Sequence, residues 1–277
     1  MIEVDGYQPN REWGCHPDFL KSLKDIEPLG EVYSETSIDP RDTLRTEFQG
    51  PQGACQGFSL SSIVEWCYML AKGDSSLEGV QLSPAFAYYE SQRLDRLNGS
   101  DRGSTISGGC KLATTTGIPE EKFWKYPKKY DNRRPDDFQD VLANAEQYKA
   151  STLRKVKTYD DIRNFLGAAV GAVNLGIRWS KEYGAVIEKI GKKRGGGHAV
   201  ALISLSTKKD AVNRPYVWLL NSWGKRWGNR GWSEVKPAVI AAWLRERYTT
   251  AIGISELPNI APRKFSLEDW RNRITAI

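Results

Sequence analysis

An α+β fold is the class this 277-residue sequence predicts, and three observations carry it. Between Gly57 and Thr116, apolar residues recur at helical spacing. After Gly171 the pattern changes to short apolar or β-rich runs separated by turn residues. Helices early and strands late suggest two segregated layers rather than alternating βαβ units.

Each element has a local reason. Residues 1–48 are polar and broken by Pro9, Gly30 and Pro40, which suggests an irregular arm with a short helix near Pro17–Lys24. In Gly57–Lys72, Ile63, Trp66, Cys67 and Leu70 fall at i, i+3, i+4 and i+7, an apolar helical stripe ended by Gly73. Ser83-Pro84 opens a second helix over Ser83–Leu97. After the loop Asn98–Ser104, a third helix is expected over Ser107–Thr116, stopped by Gly117. Tyr159–Ala169 reads as a helix and Ala172–Ile177 as a strand, followed by strands at Ala199–Ser204, Tyr216–Leu220 and Gly231–Val235. Near the end, Leu267–Arg273 forms a helical stretch with Ser266 and Asp269 spaced as a capping box. The expected organisation is an arm at 1–34, one domain over 35–256 (helical part about 50–150, β part about 151–256) and a tail at 257–277.

Composition narrows the function classes. Hydrophobic content of 40% and aromatic content of 11% fit a globular chain. The net charge of +6 is spread along the sequence, so a solvated basic surface is the reading and nucleic acid is not an expected partner. The N-terminus lacks a basic start followed by an apolar core, and no run approaches 18 apolar residues, so neither a secretory signal nor a membrane span is expected. Cys15, Cys55, Cys67 and Cys110 form no CxxC pair, which argues against a zinc site and gives little support for a disulfide framework. A reducing compartment, cytoplasmic or virion-associated, is expected, with no metal and no cofactor.

The chemistry concentrates in three segments. In Gln49-Gly-Pro-Gln-Gly-Ala-Cys55-Gln-Gly-Phe-Ser59, a glycine-rich loop delivers Cys55 to a helix start. Unpaired N–H groups there stabilise thiolate over thiol, and thiolate is the nucleophilic form. Gln49 could aim its amide at a substrate carbonyl oxygen and, with the Cys55 N–H, form an oxyanion hole. Taken alone, the segment equally fits a buried cysteine after a turn. Gly195-Gly-Gly197-His198-Ala-Val200 leads the second candidate onto a strand, where the glycines, Gly197 last, keep its approach open. The other histidine, His16, has no such setting. In Val217–Gly228, Asn221 ends an apolar strand where it can accept from one imidazole nitrogen and fix the tautomer, and Trp223 can cover that bond.

Together these segments resemble the papain-like C1 cysteine peptidases. The family's Gln-Gly-x-x-Gly-Ser-Cys run stands as Gln49–Cys55, its His-Ala-Val strand as His198-Ala199-Val200, and its Asn-Ser-Trp-Gly-x-x-Trp-Gly as Asn221–Gly228. The Cys-to-His separation, 198 − 55 = 143, lies within the roughly 130–150 of this family. The Asn, at 221 − 55 = 166, lies beyond it, which a longer turn around Ser206–Arg214 accounts for. Ile38–Asp42 is similar to an entry strand, and Leu82–Tyr89 and Gly117–Glu121 resemble left-lobe helices of the bacterial and viral branch. The resemblance covers about residues 35–255. It implies a papain-like two-lobed fold, a helical left lobe and an antiparallel β-barrel right lobe, with Cys55 on one wall of the cleft and His198 and Asn221 on the other. The implied reaction is peptide hydrolysis through a Cys55–His198–Asn221 triad with Gln49 in the oxyanion hole. Either Gly103-Ser104 or Gly108-Gly109 would be the loop that pairs with extended substrate; Gly197 and Trp223 would line the site.

Four departures shape the expectations. Gln52 stands where the family begins a left-lobe disulfide, and Gln56 replaces the tryptophan after the nucleophile. Only 54 residues precede Cys55, too few for a long inhibitory pro-segment, so the arm or the tail could cover the cleft. The basic stretch Lys181–Arg194 reads as a solvated loop. Cys67 is expected in the core, and Cys110 either lines a pocket or is buried. The expected partner is a peptide or protein substrate. Two other readings remain open: a virion or other large assembly held through the chain ends, and an amidase or isopeptidase acting on a non-standard amide. The peptidase reading requires the Cys55 sulfur to lie beside His198 and not be sealed in core.

Overall fold

The computed structural model describes residues 38–72 and 80–257. The short helix expected near Pro17–Lys24 and the tail helix Leu267–Arg273 lie outside them, as do the arm and all but the first residue of the tail. The described elements run α1 (Cys55–Lys72), α2 (Pro84–Leu94), α3 (Ile106–Thr115), α4 (Phe138–Ala145), β1 (Thr152–Lys155), α5 (Tyr159–Gly167), β2 (Gly171–Ser180), β3 (Val186–Ile187), β4 (Arg194–Lys209), β5 (Pro215–Leu220), β6 (Trp232–Val235), α6 (Pro237–Leu244) and β7 (Thr250–Ser255).

Helix α1 begins at Cys55 itself and is buried on nearly every side, so the expected one-sided stripe is only part of its apolar surface. Its buried polar groups are tied down: Ser59 Oγ donates to Asn174 Oδ1 (2.9 Å) and Glu65 Oε1 accepts from the Leu82 N–H (2.8 Å). Such bonds offset the cost of placing polar atoms in a core. Side-chain caps start the next helices. Ser83 Oγ accepts from the Phe86 N–H (3.0 Å) with Pro84 in the first turn, and Thr105 Oγ1 accepts from the Gly108 N–H (2.9 Å). Gly117, at φ +86°, supplies the left-handed backbone that stops α3. Thr158 and Asp161 cap α5 reciprocally, a box the helix reading had not used.

Seven strands form one sheet in the order β1-β7-β2-β4-β5-β6-β3. All pairs are antiparallel except β3 with β6. Because β1 and β3 stand at opposite edges, the sheet is open, and the expected closed barrel is corrected to an open sheet. The strand reading at Ile38–Asp42 is also corrected: Thr43 and Leu44 N–H both donate to the Pro40 carbonyl, closing a turn.

Strand alternation builds two cores on the sheet's two faces. Ala199, Ala201 and Ile203 of β4, with Trp218 and Leu220 of β5, pack with α1, α2 and α3. Val200 and Leu202, with Val217 and Leu219, pack with α5 and α6 on the other side. The long hairpin β4–β5 turns through Asp210–Arg214, where Asp210 accepts from the Arg214 guanidinium (2.8 Å). This extension supplies the extra residues between His198 and Asn221. Lys181–Arg194 is not a free loop: β3, Tyr183 and Ile187 anchor it, while Lys181, Lys189, Lys192 and Lys193 stay exposed.

Candidate active site

The loop before α1 and the turn after β5 meet directly. Gln49 N–H donates to the Ser222 carbonyl (2.9 Å), the Gly224 N–H donates to the Glu47 carbonyl (2.9 Å), and Phe48 bridges Trp223. These bonds bring the first residues of the nucleophile segment to the residues beside Asn221.

Across that junction, the Ala199 N–H donates to Cys55 Sγ at 3.4 Å, which places the sulfur against the backbone of the residue after His198. His198 Nε2 pairs with Asn221 Oδ1 at 2.8 Å, and that same oxygen accepts from the Ser222 N–H (2.8 Å). With Nε2 as donor, Nδ1 is the basic nitrogen, and it has no hydrogen-bond partner among the described residues. The imidazole packs against two indoles that also touch each other, with Trp179 edge-on at 4.8 Å and Trp223 at 5.0 Å between centroids. Those rings hold it and exclude water from its bond to Asn221.

Gln49 is oriented at every polar atom. Its Oε1 accepts from Ser222 Oγ (2.5 Å), which fixes the amide's sense. Its Nε2 donates one proton to the Gln52 carbonyl (2.7 Å), leaving the other. Tyr126 Oη donates to the Gln49 carbonyl (2.8 Å).

The sulfur lies beside the histidine segment, as the peptidase reading requires, but the second requirement is not met: Cys55 belongs to the buried core. Cys55 and His198 are both 0% exposed. Burial pushes the Cys55 thiol up to about 12, although backbone N–H groups of Ala199, Gln56 and Cys55 itself act in the opposite sense. Burial likewise pushes His198 down to about 4, partly offset by its bond to Asn221. Both shifts favour thiol and imidazole over an ion pair, and with both side chains buried a substrate carbonyl needs the site to open before it reaches the sulfur.

The profile of the papain family cysteine proteases matches residues 35–248, most of the chain. This chain belongs to that family. Cysteine proteinase 15A of Pisum sativum is 25% identical over 196 residues, covering 68% of this chain and 53% of the pea protein. A probable cysteine protease of Arabidopsis thaliana, RD19D, is 25% identical over 194 residues, covering 66% and 51%. The chain thus spans about half the length of these curated relatives. Among solved structures, xylellain, a cysteine protease from Xylella fastidiosa, superposes with a TM-score of 0.66 at 18% identity over 90% of each chain. The proform of the ragweed cysteine protease Amb a 11 gives 0.63 at 18% identity, covering 84% of this chain and 69% of that one. These likenesses establish the papain-like fold.

Within this papain-family fold the remaining expected site residues separate. Ser104 is buried, its Oγ donating to Gln56 Oε1 (2.9 Å). Gly103, at φ +79°, donates its N–H to Tyr88 Oη (3.1 Å) and accepts from Gln92 Nε2 (3.0 Å), so its own backbone groups are already engaged. Gly108 and Gly109 are corrected: they lie inside α3, buried, and a Cβ at Gly109 would sit 1.5 Å from Gln56 Nε2. Gly109 makes room for Gln56 and Gly108 for the Asp95 carboxylate, rather than for substrate. Gly197 is half-buried in β4 opposite Arg178, one residue from the catalytic candidate. Cys67, whose thiol donates to the Ile254 carbonyl, and Cys110 are both buried and in no disulfide among the described residues. Gln52, in the family's disulfide position, is buried and bonds Tyr89 Oη (2.8 Å) and the Pro127 carbonyl (2.7 Å). The sequence reading missed Trp179, Ser222 and Tyr126. Ser222 stood inside the quoted Asn-Ser-Trp-Gly motif; nothing near Trp179 or Tyr126 pointed to His198 or Gln49.

Proposed function

We propose that this chain hydrolyses peptide bonds as a cysteine peptidase, with Cys55 as nucleophile, His198 as general base and acid, Asn221 as orienting group and Gln49 as oxyanion donor. The bond from the Ala199 N–H to Cys55 Sγ supports this reading most, because it sets the sulfur beside the histidine held by Asn221. As a peptide carbonyl reaches the sulfur, the S–H proton passes to Nδ1 while the S–C bond forms. The carbonyl oxygen becomes anionic and takes hydrogen bonds from the second Gln49 amide proton and the Cys55 N–H. Collapse breaks the C–N bond, and the Nδ1 proton goes to the leaving amine. Nδ1 then takes a proton from water, whose oxygen attacks the thioester to release the acid and restore the thiol.

The test is alkylation and turnover on one preparation. Once the site opens, iodoacetamide should modify Cys55 ahead of Cys67, inside α1, and Cys110, inside α3, and Cys55→Ala should abolish cleavage of a peptide library. Cleavage that survives Cys55→Ala would overturn the assignment.

A further inference from the structure

A groove of about 590 Å³ adjoins the site, and the chemistry described above does not use it. Arg41, Asp42 and Arg45 line one side, Lys225 and Arg230 the other, with Trp232 among its lining. Thr46 Oγ1 donates to the Arg230 carbonyl (2.7 Å), tying the two sides together. A Cβ on Gly231 would come within 2.0 Å of the Thr46 side chain, so the walls meet as closely as glycine allows.

The groove starts where the site ends. Trp223 lies on His198, Gly224 is bonded to Glu47, and the next residue, Lys225, already lines the groove. On the facing side Thr46 precedes Gln49 by three residues, about 10 Å of extended chain. His198 must protonate the leaving amine, and the turn continuing from Trp223 flanks that ring. An extended chain leaving the site on the amine side therefore enters the groove roughly two to four residues beyond the broken bond.

Its charge is unevenly compensated. Arg41 is paired with Asp39 (2.5 Å), and Arg45 shares Glu65 (3.4 Å). Lys225 and Arg230 are exposed, make no ion pair with a described residue, and face Asp42 as the one carboxylate of the lining. We propose that Lys225 and Arg230 are specificity-determining residues that select substrates carrying Asp or Glu about two to four residues beyond the scissile bond on the leaving-group side. The proposal rests on the peptidase reading above.

Matched peptides decide it, one with Glu at those positions and one with Gln. Exposed charge pairs support roughly a 3- to 10-fold higher kcat/KM for the Glu peptide at low salt, falling toward parity at 0.5 M NaCl. The preference should vanish or invert in Lys225→Glu and in the double variant Lys225→Glu, Arg230→Asn. Asparagine is chosen because Arg230 holds φ +55°, a backbone that asparagine tolerates. Equal cleavage of both peptides by the unaltered chain, or a preference that survives the double variant, overturns the proposal. If neither peptide is cleaved, the peptidase reading fails on its own. The groove is then judged by binding to Cys55→Ala: tighter binding of the Glu peptide, lost on adding Lys225→Glu, supports it, and equal binding overturns it.

Discussion

The protonation of two side chains decides how the proposed reaction would start. With the Cys55 thiol pushed up to about 12 and His198 down to about 4, the free protein presents thiol and imidazole across neutral pH. The rate of iodoacetamide alkylation at Cys55 should therefore keep climbing above pH 9; a plateau reached below pH 8 would show a preformed thiolate. On the acid side, protonation of Nδ1 removes the base, so kcat/KM should fall as pH drops through about 4. Gln49→Ala should lower kcat by about 10²- to 10³-fold, the usual cost of an oxyanion donor, with KM little changed. Ser222→Ala frees the Gln49 amide to rotate and should cost kcat less, on the order of 10-fold, because it acts through another group. That Cys55, Gln49, His198 and Asn221 come together was legible in the sequence because each is carried by a contiguous motif. Burial of Cys55, and the Trp179 ring on His198, were not, since both depend on parts of the chain distant from those motifs.

At the scale of single elements, α1 carries an unusual load. Glu65 on this helix and Glu47 on the loop before it are both pushed up, to about 8 and about 7, chiefly by burial and then by charged neighbours. Glu121 adds to the repulsion, Arg45 offsets it, and Gln81 Nε2 donates to Glu47 Oε1 (3.0 Å). Between the ordinary value of 4.5 and these raised values, the folded chain keeps protons that the unfolded chain has released. Their stabilisation is thus complete below 4.5 and is lost as pH rises through the raised values, by on the order of 1 kcal/mol per pH unit for each proton released. The melting temperature should fall from pH 5 to pH 8.5, and Glu47→Gln should flatten that slope; an unchanged slope would remove this pair as its cause. On the same helix, a Cβ at Gly57 would meet the Pro84 carbonyl at 2.6 Å and Tyr88 Cβ at 2.8 Å. Gly57→Ala should force α1 from α2 and cost about 1–3 kcal/mol, read by denaturant unfolding. Periodicity found α1 but described it as one-sided, because hydropathy does not reveal that Ser59 and Glu65 are buried on partners far along the chain. The elements it missed are short or polar, such as β1 with Arg154 and Lys155, or are placed by pairing alone, such as the two residues of β3.

For the molecule as a whole, the two cores share one sheet, so neither has a boundary of its own. Ala201 and Leu202 are neighbours in β4 yet serve opposite cores. Unfolding should be a single calorimetric transition with agreement between helix and tryptophan signals; two resolved transitions would show that the lobes melt separately. The order of helices and strands was readable because the hydrophobic period changes once along the chain. The openness of the sheet was not, since closure depends on which strands end at the edges, and sequence spacing does not state that.

The amide at position 52 has a practical consequence. It spans Tyr89 and Pro127 with two hydrogen bonds, at the position where the resemblance implies a disulfide cysteine. Hydrogen bonds are indifferent to electron donors. The described part of the helical lobe thus has no fastening that dithiothreitol could cut, so strongly reducing conditions that keep Cys55 a free thiol should leave its packing intact.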